Sequence, residues 1–287
     1  MPYGFIRHIE NKGYRPETIT SYEKVIKQFF QYLRSVYPAN KEPFQISPSD
    51  IKNYLQEQLE KDKSISTVNK ELAILKTFFN YLWEIDKVPV DPAVKLKRYK
   101  VTEKPNLDIT YEQIIEVLHK VLNRADYSPL RKAIFLMAAK GLKTADFRFK
   151  KDDVMDRPGE NKLEVRLKNR TIVLEGKEAE VFREYFREAL QNESEYVFVT
   201  KRHGDDVGGP VQVMSILHHL RAISDDYFTE NTQALTLISI RRALAYHLFQ
   251  KRYSMQMIAK ELGIEASTAA NYLKHLTEKV VLEKNGS

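Results

Sequence analysis

Near its carboxyl end the chain reads AKELGIEASTAANYLKHL, Ala259 to Leu276, and the tyrosine in that stretch has two chemical readings. A phenol oxygen can attack phosphorus and conserve the energy of the broken bond in a covalent intermediate. Tyr272 also fits a helix-turn-helix, with Ala259 in the first helix, Gly263 at the turn, and Leu262, Ile264, Ala269 and Tyr272 at apolar positions. Upstream, LISIRRALAYHL sets Arg241 beside Arg242, about 100° apart on a helix. A guanidinium is the side chain whose planar fork matches phosphate oxygens. Further donors cluster early in the chain: Ser66, Thr67 and Asn69 with Lys70 and Lys76, then Lys95, Lys97, Arg98 and Lys100 in KLKRYKVTEK. Such residues suit a phosphate backbone, and a solvated helix face accounts for them as well. His218, His219 and His247 have no sequence partner that singles them out for proton transfer.

Composition narrows the chemistry. None of the 287 residues is a cysteine, which removes disulfides, thiolate metal sites and cysteine nucleophiles and suits a reducing compartment. The net charge of +7 favours polyanions. It is spread over both parts of the chain, +4 across residues 1–108 and +3 across 109–287. The opening residues lack the apolar run of a signal peptide and no later stretch is long enough to span a bilayer, so the expectation is a cytoplasmic protein with no membrane partner.

The elements that must hold these residues are mostly helical. TITSYEKVIKQFFQYLRSV spaces Tyr22, Val25, Ile26, Phe29, Leu33 and Val36 along one helix face. SPSDIKNYLQEQL starts a second helix with Ser47 as cap and Pro48 at the first position. A third runs through Val68, Leu72, Leu75, Phe79 and Leu82, and PAVKLKRY is expected to add a short further one. This predicts a helical domain over residues 1–98, a basic linker at 99–108 and a second domain at 109–287. The second domain is expected to be α+β: helices at YEQIIEVLHKVL and PLRKAIFLMAAK ending at Gly141, a hairpin from NKLEVRL and RTIVLE, a further strand at YVFVT, then helices at GKEAEVFREYFREAL, PVQVMSILHHLRAI and LISIRRALAYHLFQ.

The order of these segments resembles the tyrosine recombinase (phage integrase) family along nearly the whole chain. STVNKELAILKTFFNYL is similar to its core-binding domain, AAKGLKTADFRFKKDDV to the segment with its first arginine, LISIRRALAYHL to its H-x-L-R-H-x-x-A-x-x-L, and LGIEASTAANYLKH to its tyrosine helix. The resemblance implies a mainly α fold with a small β-sheet, made of a SAM-like core-binding domain and a catalytic-type domain. It also implies that neither metal nor cofactor is needed.

By the same resemblance Tyr272 stands at the nucleophile position, Arg241 at the second arginine and Lys168 at the hairpin lysine that protonates the leaving oxygen. Lys143 replaces the first arginine, and Ile238 and Ile264 stand where the family has histidine or, at the second, tryptophan. Arg148, five residues past Lys143, falls on another face, and Arg242 is read as a contact to DNA phosphate. Three altered positions out of six imply a catalytically degenerate member. The expected function is a duplex-DNA-binding regulator or repressor, or an accessory factor of a mobile element, bacterial or phage-encoded and associated with the nucleoid. The alternative is an active recombinase that cuts through a 3′-phosphotyrosyl intermediate. The closing helix, with Leu273, Leu276 and Val280, is a homo-oligomer contact in that picture.

Overall fold

Helix starts and stops in this chain follow capping chemistry closely. The computed structural model describes residues 2–39, 41–100, 109–200, 208–228 and 234–273. Its contacts divide the chain into two units, Met1–Lys104 and Pro105–Ser287.

The first unit packs α1 (Phe5–Asn11), α2 (Pro16–Val36), α3 (Pro48–Glu60) and α4 (Ile65–Glu84). The Ser47 and Ser64 hydroxyls accept the amides of Asp50 and Thr67, satisfying donors that α3 and α4 would otherwise leave unpaired. Between the helices lie Phe5, Phe29, Phe78 and Phe79, all fully buried. Phe5 meets Phe78 edge to face at 5.2 Å, the geometry that ring quadrupoles favour. The buried Glu71 carboxylate takes the Tyr54 hydroxyl at 2.9 Å and the Lys63 ammonium at 2.6 Å, so no charge is stranded in the core.

The helix expected at PAVKLKRY does not form. Residues 92–95 make a turn and 96–100 have no regular structure. Two side chains account for this: the Asp91 carboxylate accepts the Ala93 amide at 2.7 Å, and the Asn69 side-chain amide pairs with both backbone groups of Tyr99, at 2.9 and 2.8 Å. Side-chain bonds of this kind hold the backbone away from helical geometry. The linker expected at 99–108 lies outside the described residues from 101 onward.

The second unit begins with α5 (Tyr111–Asn123) and α6 (Pro129–Ala139). An antiparallel sheet follows in the order β1 (Val154–Arg157), β2 (Lys162–Arg166) and β3 (Thr171–Glu175). Leu163 and Val165 of β2 lie opposite Leu174 and Ile172 of β3, and all four are buried. Side-chain alternation along a strand thus leaves one sheet face apolar. The β2–β3 turn is tight, residues 167–170, closed by the Leu167 amide on the Arg170 carbonyl at 2.8 Å. Next come α7 (Lys177–Leu190), α8 (Val213–Tyr227), α9 (Leu237–Gln250) and α10 (Met255–Leu262), and residues 266–273 are again helical. YVFVT supplies only isolated bridges, Lys150 to Tyr196 and Val199 to Pro210, instead of a strand.

The fold is mainly α with one small sheet. No helix among the described residues is long and apolar enough to cross a membrane.

Candidate functional site

Two helix ends face one another in the second unit, and the site is built from them. After α6, Gly141 adopts φ +78°, and the Leu142 amide returns to the Met137 carbonyl at 3.2 Å. After α10, Gly263 adopts φ +60°, and the Ile264 amide returns to the Ala259 carbonyl at 3.0 Å. Both are left-handed glycine stops, which leave carbonyl oxygens and negative partial charge at the helix carboxyl ends. A larger residue at Gly141 would be strained by the positive φ, and its Cβ, 2.9 Å from Leu244 Cδ2 and 3.1 Å from Leu262 Cδ2, would make these side chains shift.

Arg241, on the second turn of α9, is 2% exposed. Its guanidinium donates to both stops, through Nη1 to the Gly141 carbonyl and through Nη2 to the Leu262 carbonyl at 3.1 Å. Nε approaches the Tyr272 hydroxyl at 3.5 Å, with the guanidinium 5.9 Å from the tyrosine ring centre. The buried charge is therefore held by two helix ends rather than by a carboxylate. Tyr272 is half-buried and packs on the small core of Ile258, Leu262, Ala269 and Leu273. It thus fills the apolar position of a helix-turn-helix while also presenting its hydroxyl to Arg241.

A second guanidinium joins this corner, one that no sequence motif indicated. Arg170 closes the β2–β3 turn and donates through Nη1 to the Glu261 carbonyl, while Asn169 Nδ2 donates to the Gly263 carbonyl at 3.5 Å. The turn thereby docks on the carboxyl end of α10. Nε and Nη2 of Arg170 are buried without a hydrogen-bond partner among the described residues. Burial, then the adjacent Arg241 charge, pushes the Arg170 pKa down to about 10, against the opposing pull of Asp146 and Glu261. At neutral pH two positive guanidinium groups share the corner. Arg170 sits two residues past Lys168, but a four-residue turn has no periodicity from which its direction could be read.

The other residues singled out from the sequence take varied places. Lys168 is exposed. Lys143 follows the Gly141 stop, its ammonium partly exposed and 3.9 Å from an Asp146 carboxylate oxygen. Arg148 is exposed and Arg242 half-buried. Ile238 is 50% exposed on α9, and Ile264 packs against the α10 core. His247 Nδ1 meets Glu112 Oε1 at 2.5 Å beside a cavity of about 210 Å³ that Tyr111, Tyr246 and Gln250 also line. His219 is half-buried with Nδ1 unpaired among the described residues, and burial, then the charges of Arg131 and His218, pushes its pKa down to about 4. Among the described residues no imidazole shares a hydrogen bond with Arg241 or Tyr272.

In the first unit Ser66, Thr67 and Lys70 are exposed at the start of α4. Asn69 differs from the expectation of a DNA contact, because both ends of its amide are taken by Tyr99. Lys76 likewise donates to the Val94 carbonyl at 3.1 Å. Lys95, at the end of the turn, and Lys97, Arg98 and Lys100 beyond it are exposed. Leu273 is buried, and Leu276 and Val280 lie outside the described residues. No group of metal-ligating side chains occurs among the described residues.

These features define a helical amino-terminal unit followed by an integrase-type α+β unit, and known proteins share both. Residues 3–87 match the phage integrase N-terminal SAM-like domain. The tyrosine recombinase XerC of Thermodesulfovibrio yellowstonii is 31% identical over 121 residues, 36% of this chain and 38% of that protein. The chain spans less than half the length of the curated relatives it matches first. Among solved structures, a lambda integrase (75–356) dimer bound to a COC′ core site superposes with TM-score 0.67 at 16% identity, covering 93% of this chain and 92% of that one. The XerH site-specific recombinase bound to palindromic difH substrate gives TM-score 0.69 at 15% identity, covering 94% and 79%. By these likenesses residues 3–87 form a phage integrase N-terminal SAM-like domain, and the fold of the chain is similar to that of tyrosine recombinases.

Proposed function

We propose that the chain binds duplex DNA sequence-selectively through its recombinase fold and serves as a regulator, such as a repressor, or as an accessory factor of a mobile element, with strand cleavage weak or absent. Support for a DNA partner comes from the charge of +7, from the exposed cations at 95–100, and from structural relatives described as bound to DNA. The observation that carries weak cleavage is the pair Ile238 and Ile264 at positions where the family resemblance places proton-handling rings, with no imidazole on Arg241 or Tyr272 among the described residues. Losing one transition-state donor commonly costs about 3 kcal/mol. Duplexes selected by the protein from a random pool should outcompete unselected ones in gel shifts. Binding should fall steeply between about 50 and 200 mM salt. Absence of binding to any duplex at the lower salt would sink this reading.

A second reading, an active site-specific recombinase, is favoured by the 3.5 Å approach of Arg241 Nε to the Tyr272 hydroxyl. The Tyr272 oxygen would bond to phosphorus while its proton passes to solvent. The P–O5′ bond would break, and Lys168 would give the leaving oxygen a proton. A nicked suicide duplex carrying the selected sequence separates the two readings. A denaturation-resistant adduct that is absent in Tyr272→Phe supports cleavage, and bound duplex without adduct supports the regulator.

A further inference from the structure

We infer that Arg170 supplies the second guanidinium of a phosphodiester site, pairing with Arg241 beside the Tyr272 hydroxyl and taking the place of the arginine missing at position 143. The inference rests on the DNA-binding reading above and names the group that meets one backbone phosphate.

Three observations converge on it. Arg170 and Arg241 both donate to the last carbonyls of α10, at Glu261 and Leu262, so their side chains reach the same helix end from opposite elements, the β2–β3 turn and α9. Arg170 uses only Nη1 in doing so, and its Nε and Nη2 are buried with no acceptor among the described residues. Those two atoms form one edge of the guanidinium fork, the edge that pairs side-on with two oxygens of a phosphate or carboxylate. A buried donor pair with no acceptor is costly, and two like charges in one corner add to the cost. One anion relieves both.

The neighbouring carboxylates do not supply that anion. Glu261 is exposed and Asp146 already lies near Lys143, and neither carboxylate bonds to Arg170. Replacement of Arg170 by lysine keeps the charge but removes the two-donor edge, and such a change is not conservative at a bidentate site. Lys143, partly exposed and drawn toward Asp146, is then a neighbour of the site and not its second clamp.

The test follows the Nε–Hε signals of Arg170 and Arg241 by ¹H–¹⁵N NMR in the full chain, first with sodium phosphate and then with a selected duplex. Both signals should move together and saturate with phosphate. In Arg170→Lys the phosphate affinity should fall about tenfold or more, the loss expected for a charge-assisted hydrogen bond. Phosphate should also raise the melting temperature of the wild type by more than that of Arg170→Lys at equal concentration, a difference that a purely structural Arg170 would not produce. Signals that stay fixed while the duplex binds would overturn the inference and leave DNA binding intact. Signals that respond to phosphate in a protein that binds no duplex would keep the anion site and remove the DNA reading. The wild-type titration is decisive alone if Arg170→Lys fails to fold.

Discussion

The basic run 95–100 and the corner at Arg170 and Arg241 hold the same kind of charge in opposite surroundings. Lys95, Lys97, Arg98 and Lys100 are exposed to solvent. Arg241 is buried and Arg170 has two buried donors, and each is fixed by backbone carbonyls at a helix stop. Exposed cations add long-range attraction that salt screens. Buried guanidinium groups are desolvated in advance and stay in one place, the condition under which electrostatics can distinguish one geometry from another. Charge alone therefore says little about role. Where the charge is anchored says more.

The comparison breaks most readily at Arg241. Arg241→Ala strands the Gly141 and Leu262 carbonyls in an interior cavity, and it should lower stability by about 3 kcal/mol in urea unfolding. A drop under about 1 kcal/mol would mean that the corner is wetter and looser than its hydrogen bonds imply.

A smaller effect tests another buried basic group in the same unit. His219 has its pKa lowered to about 4 from the ordinary 6.5, so the unfolded chain takes up its proton first as pH falls. Stability should decline as pH drops from about 6.5 toward 4, by about 2 kcal/mol relative to His219→Phe, and the two proteins should show no such divergence above pH 7. Parallel pH profiles for the two proteins would place His219 in contact with water.

The smallest structural effect belongs to the exposed run. Changing Lys95, Lys97, Arg98 and Lys100 together to glutamine should move stability by less than about 0.5 kcal/mol. The same change should flatten the salt dependence of duplex binding by about one unit of log–log slope for each DNA phosphate that is no longer neutralised. An unchanged slope would detach this run from the backbone.

Much of the architecture was legible in the residues. The α9 range read from LISIRRALAYHLFQ coincides with Leu237–Gln250, and the stop at Gly141 is where a left-handed glycine was expected. Period and capping are local, and local signals survive in sequence. PAVKLKRY misled because Asn69, some thirty residues earlier in the chain, claims the Tyr99 backbone. Helix α1 was missed because only Phe5 and Ile9 mark its buried face. The site divides in the same way. Arg241 and Tyr272 came from their order in recognisable segments, whereas Arg170 depends on a turn docking against a helix end 91 residues later. The sequence contains no local trace of that docking.

The anchoring of Arg241 also bears on when the corner comes into being. Its two acceptors lie 100 residues before it and 21 after it, so the second cannot be met by a partly made second unit. During synthesis the guanidinium has only half its seat until Leu262 has left the ribosome and α10 has closed on its glycine. Such long-separated pairings form late, and affinity for an anion at this corner would therefore report a finished fold.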